Sequence, residues 1–141
     1  METATRPYAF SRKVFCEGMR DGVPIALGYF AVSFSLGIAA RKAGLTPAQG
    51  FFASLLNNAS AGEYAAFALI ASGATYLEVA IITLIANARY LLMSCALAQR
   101  FAPGTPFFHR LIIGYDVTDE LFGITIARPG WLNPFYTYGA I

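Results

Sequence analysis

Between Val23 and Ala40 the chain runs for 18 residues, VPIALGYFAVSFSLGIAA, without a charge. At about 1.5 Å per residue, a helix of that length matches the hydrocarbon thickness of a bilayer. Arg20 and Asp21 precede the run and Arg41 and Lys42 follow it, so ionic groups stand where a membrane helix meets its interfaces. The run predicts a first transmembrane helix at 23–40. Pro24 falls in its opening turn, where the missing N–H costs least. Gly28 and Gly37, with Ser33 and Ser35 between them, offer small surfaces for close approach by another helix.

The rest of the chain keeps this character. Hydrophobic side chains make up 57% of the 141 residues and charged ones 13%, where a soluble domain carries roughly 45–50% and 25%. At about 20 residues per span the length allows about four to five crossings. A net charge of +2 excludes a strong electrostatic case for nucleic-acid binding and leaves too few charges for a disordered tail. Residues 1–21 form a basic leader with Arg6, Arg12, Lys13 and Arg20. It lacks the apolar core and small-residue cleavage site of a signal peptide. Cys16 and Cys95 sit in unlike contexts and read as inert small residues, not as a disulfide or metal framework.

The second segment, 47–72, is predicted to be interrupted. Thr46 can cap its start, with Pro47 at the first helical position and Gln49 in the first turn. After GFFASLL, the residues Asn57, Asn58, Ser60, Gly62 and Glu63 arrive in quick succession before the apolar run YAAFALIA. Such groups have no hydrogen-bond partners in lipid, so two half-helices meeting around 57–63 are expected. Discontinuous helices of this kind expose backbone groups to a cavity and commonly build transport sites.

A third span is read at 75–99, with Glu78 near its start as an interfacial anchor and Asn87 and Arg89 well inside. An arginine at the centre of a span costs about 2.5–3.5 kcal/mol on insertion scales, so it must face protein or a wet cavity. Arg100, just beyond, is read as snorkelling to the interface. After a Pro-rich linker, a fourth segment at about 111–127 carries Asp116, Asp119 and Glu120 at spacings that place them on one helical face. A solvated surface helix is the competing reading. The tail 128–141, with Trp131 and two tyrosines, suits an interfacial turn leading into a further span that the chain lacks. Orientation is balanced, with four basic residues on each side, and the leader is placed inside because the first helix usually dominates.

Nucleotide loops, nucleophile elbows, zinc-protease motifs and Cys-x-x-Cys are all missing, and the single His109 lies in the Pro-rich linker. No enzyme activity, cofactor or metal is expected. The polar groups read instead as a site for a zwitterion. Arg89 would meet its carboxylate, and Asp119, Glu120 or Glu63 would meet its ammonium. The substrate-binding set is Asn57, Asn58, Ser60, Glu63, Asn87, Arg89 and Asp119. Glu63, Asp119 and Glu120 are the candidates for proton coupling, since burial favours the protonated carboxyl. In the plainer reading, Arg89 neutralises one of these acids in a structural ion pair, and the three asparagines tie helices together at about 0.6 kcal/mol per hydrogen bond.

Several of these stretches, taken in order, resemble the AzlC family of bacterial branched-chain amino-acid exporters. An E-G-x-R-D-x-x-P signature falls on Glu17, Gly18, Arg20, Asp21 and Pro24. The family's A-G-S-x-Q-F motif falls on Ala59, Ser60, Ala61, Glu63 and Tyr64, with serine replacing glycine and glutamate replacing glutamine. That change puts a titratable acid where the family has a neutral amide. An N-x-R motif falls on Asn87 and Arg89, with Tyr90 where histidine is common, and T-D-E on Thr118, Asp119 and Glu120. The resemblance implies a multi-pass permease in the inner membrane, an amino-acid substrate and a small hydrophobic AzlD-type partner subunit. It also implies a family member longer than this chain, so a C-terminally truncated copy is expected. The expectation is therefore an all-α membrane protein of about four segments that exports apolar amino acids. The alternatives are a non-transporting structural or regulatory subunit and, more remotely, a soluble helical bundle.

Overall fold

The computed structural model describes residues 8–141, so Arg6 of the leader lies outside the described residues. Every regular element among them is a helix: α1 (Arg12–Lys42), α2 (Pro47–Asn57), α3 (Ser60–Ala71), α4 (Tyr76–Ala98), α5 (Phe107–Tyr115), α6 (Asp119–Ile126) and α7 (Pro134–Ala140). The all-α expectation holds. Phe101 and Leu132 form an isolated parallel bridge.

Local chemistry sets the helix starts. Thr46 caps α2, with Pro47 in the first turn, as the sequence predicts, and Gln49 completes a capping box. Thr75 and Glu78 repeat the exchange at α4: the Glu78 carboxylate accepts from Thr75 N–H at 2.8 Å, and the Thr75 hydroxyl accepts from Glu78 N–H. Glu78 is therefore a capping residue. Thr118 caps α6 and Asn133 caps α7, each side-chain oxygen satisfying a backbone donor that the helix cannot.

Three boundaries differ from the sequence reading. α1 begins at Arg12, not Val23, and its 31 residues extend about 46 Å at 1.5 Å each. Pro24 therefore lies inside the helix and withholds a donor from the Arg20 carbonyl. The expected segment at about 111–127 is two short helices, with Asp116 at the end of α5 and Thr118 starting α6. Asp116 thus shares no helical face with Asp119 and Glu120, because a helix ends between them. The tail is also folded, since α7 buries Pro134, Tyr136, Thr137 and Ala140.

α1 and α4 are each long and apolar enough to cross a membrane, with mean hydropathy of 1.8 and 1.7 over their best windows. The other two expected spans are both divided. Only 6% of the α1 window and none of the α4 window is buried. A soluble bundle would hide such faces, whereas here Phe30, Phe34, Leu84 and Leu91 point outward.

The chain forms two compact units. One comprises the chain up to Leu27 together with Leu92–Ile141; the other is Gly28–Leu91. In the first, α7 lies against the start of α1 because glycines let the backbones meet. A β-carbon on Gly18 would stand 2.0 Å from the Tyr136 carbonyl oxygen, one on Gly22 2.3 Å from that of Ala140, and one on Gly139 2.1 Å from that of Phe15. Gly18 and Gly22, four apart, are a small-xxx-small surface. Gly28 and Gly37, which the sequence reading chose for helix packing, meet nothing within 4 Å.

Charged and aromatic groups lock the same contact. Arg128 Nη2 donates to Glu17 Oε2 at 2.8 Å, and its guanidinium lies 3.9 Å from the centre of the Tyr136 ring. Tyr136 Oη donates to Asp21 Oδ2 at 2.8 Å. Arg100 donates to the carbonyls of Arg128 and, at 3.1 Å, Gly130. Its head therefore ties the α6–α7 turn to the end of α4 rather than reaching into an interface.

Candidate functional site

The second unit contains the helix break. α2 ends at Asn57, and Asn58 follows in the left-handed conformation at φ 45°. Asparagine tolerates that region better than most side chains, so a polar residue here both ends one helix and turns the chain toward the next. Ala59 opens α3 without a side-chain cap. The interruption falls within the predicted 57–63 stretch.

Five of the predicted residues lie at the break, and three of them, Asn57, Glu63 and Asn87, make side-chain hydrogen bonds there. Asn87 Nδ2, from α4, donates to Asn57 Oδ1 at 2.7 Å. Its amide fits against Gly62, where a β-carbon would approach Asn87 Oδ1 to 2.3 Å. Glycine is required here by the amide that occupies its missing side-chain volume. Glu63, the next residue, is only 4% exposed and accepts a hydrogen bond from Ser54 Oγ on α2. Ser54 was not singled out in the sequence. Its signal was the spacing of nine residues across a break, which helical periodicity does not reveal. Asn58 and Ser60 lie at the break itself, half-buried.

The remaining predicted residues are elsewhere. Arg89 is exposed on α4, donating to Tyr90 Oη at 3.2 Å with its guanidinium 5.0 Å from that ring's centre. Tyr90 thus holds the arginine head by stacking and a hydrogen bond. Asp119 and Glu120 belong to the other unit, exposed in the first turn of α6. Acids there complement the helix dipole, and with the Thr118 cap they give the T-D-E motif a structural role. The E-G-x-R-D stretch likewise holds α7 through Glu17, Gly18 and Asp21. Among the described residues there is no group of three His, Cys, Asp or Glu that could hold a metal ion.

Chemically, the break presents a buried carboxylate, a hydroxyl and two amides, held between short helices in otherwise apolar surroundings. Such groups bind a polar solute or carry a proton.

Residues 24–141 match the family described as AzlC protein. The chain is 27% identical to the inner membrane protein YgaZ of Escherichia coli K12 over 128 residues, which cover 91% of this chain and 52% of YgaZ. It is 28% identical over 113 residues to an uncharacterized membrane protein of Archaeoglobus fulgidus, covering 80% of this chain and 49% of that protein. The chain spans about half the length of these curated relatives. No solved structure matches it. The family match over most of the chain, the membrane-protein relatives and two outward-facing apolar helices agree: this chain is a membrane protein of the AzlC family.

Proposed function

We propose that the chain takes part in moving small apolar amino acids, of the branched-chain kind, out across the bacterial inner membrane as a multi-pass permease. The observation that carries this reading is the polar break: Asn87 bonds Asn57 and packs its amide on Gly62, and the buried Glu63 bonds Ser54, where the segment divides into two helices too short to span a bilayer singly. The family's resemblance to amino-acid exporters supplies the substrate class. In this reading, the amides and Glu63 meet the polar end of the substrate while the apolar faces around them accept its side chain. Glu63 carries the coupling proton, since a carboxyl in apolar surroundings alternates between charged and neutral forms. Asp119 and Glu120 are the further candidates, Arg89 the group for the substrate carboxylate, and an AzlD-type subunit the partner.

Efflux of labelled leucine or valine from preloaded vesicles tests this. Efflux that accelerates with an opposing proton gradient and is abolished in Arg89→Ala and Glu63→Gln is expected. Unchanged efflux in both variants at normal protein levels would contradict the assignment. A second reading, a non-transporting subunit, draws on the uncovered faces of α1 and α4, which fit a partner as well as lipid. It expects co-purification with another membrane protein and no flux.

A further inference from the structure

Two oxygens on α4 remain unused by any contact described so far. Asn87 Oδ1 and Thr83 Oγ1 are both sealed from solvent without a hydrogen-bond partner. They lie one helical turn apart on the same face. Buried polar atoms in native proteins are nearly always satisfied, so an adjacent pair of orphans points to a ligand. Asn87 Nδ2 is committed to Asn57, and Oδ1 turns toward the space beside Gly62. The next residue in the chain is Glu63, whose buried carboxylate has the Ser54 hydroxyl as its partner and no basic side chain among the described residues.

The chemistry of these oxygens sets the sign of a ligand that would meet them. Oxygen acceptors facing the residue that precedes a buried acid disfavour an anion and favour a compact cation. Water would satisfy the oxygens but leave the charge on Glu63 uncompensated in apolar surroundings. Hard cations and primary ammonium groups both take oxygen ligands of this kind.

We propose that Thr83, Asn87 and Glu63 form a subsite for a monovalent cationic group, either a sodium ion or the ammonium end of an amino acid. Thr83 is the new member, named by neither the polar cluster nor the family motifs. The proposal rests on the reading of the break as the solute site.

The test is binding to the purified protein in lipid nanodiscs, using radioactive sodium and labelled leucine as separate probes. Isopentylamine, which keeps the amine, and isocaproate, which keeps the carboxylate, serve as competitors. Saturable sodium binding identifies an ion site; displacement of leucine by isopentylamine but not by isocaproate identifies an ammonium site. In either case Thr83→Val weakens binding at least about tenfold, the scale of a hydrogen bond to a charged group, and Thr83→Ser preserves it. Binding of neither probe, or wild-type affinity in Thr83→Val, overturns the subsite. Leucine displaced by isocaproate alone also overturns it while leaving the transport reading intact. Sodium binding without leucine binding supports the subsite and counts against an amino-acid substrate.

Discussion

Each of the two units is stabilised internally by different means. In the unit built from the chain up to Leu27 and from Leu92 onward, glycine backbones meet α7 directly, and Glu17, Asp21, Arg128 and Tyr136 surround the contact. Its interior is well filled, with Leu97, Ile113 and Tyr136 almost wholly enclosed. In Gly28–Leu91 the buried side chains include Ala40, Ala59, Phe67 and the acid Glu63, and hydrogen bonds between helices join polar side chains around a broken helix. One region spends its polar residues on fixing a fold. The other places them where apolar packing would be more stable, which is the mark of a functional site.

The largest expected effect lies in the close-packed unit. Gly18→Val places side-chain atoms on the Tyr136 backbone, which cannot move without undocking α7, so a loss of about 3 kcal/mol is expected. Gly28→Val, with open space around it, is expected to change stability by less than about 0.5 kcal/mol. Unfolding in mixed micelles followed by the fluorescence of Trp131, the chain's single tryptophan, measures both. Equal effects would erase the contrast drawn between these glycines.

Next is Asn133→Ala, which removes the α7 cap whose Oδ1 accepts from Phe135 N–H and is expected to cost about 1 kcal/mol in the same titration. Glu17→Gln should cost less, about 0.5 kcal/mol, because the Glu17 and Arg128 side chains are 40% and 33% exposed and solvent screens their pair. A larger loss from Glu17→Gln than from Gly18→Val would mean that charge, not close approach, holds α7.

The smallest effect is a pH dependence. Burial raises the Tyr136 hydroxyl above its ordinary 10.0, and the hydrogen bond to Asp21 acts in the same direction; burial does likewise at Tyr138. Raised folded-state values mean that the stabilisation is fully present below the ordinary tyrosine range and is lost as pH rises through the folded-state values. Alkaline titration should therefore loosen the Trp131 unit, and the double variant Tyr136→Phe/Tyr138→Phe should remove that slope.

What could be read in the sequence follows the same division. The apolar run before Arg41, the Thr46 cap and the break at Asn57–Glu63 were legible because each is a local pattern: length, cap chemistry, or polar residues in an oily stretch. The role of Gly18 and Gly22 was not. They sit among Glu17, Arg20 and Asp21, so the stretch reads as a membrane boundary, and their partner α7 lies more than a hundred residues away in the chain. The divided helix at 116–118 was hidden because Val117 continues the apolar pattern, while the Thr118 cap depends on geometry that spacing does not give. At the site, Asn57, Asn87 and Glu63 were found from their cost in lipid. Ser54 and Thr83 look like ordinary small polar residues until the break brings helices together.

The most direct test of the account is leucine efflux from vesicles containing Gly62→Ala, alongside Gly28→Ala at matched protein levels. The added methyl on Gly62 must displace the Asn87 amide and part it from Asn57, so efflux should fall at least about tenfold, the scale of one well-placed hydrogen bond in a buried site, with Gly28→Ala unchanged. Full efflux through Gly62→Ala, with the protein inserted and intact, would show that the polar break is not where the solute passes.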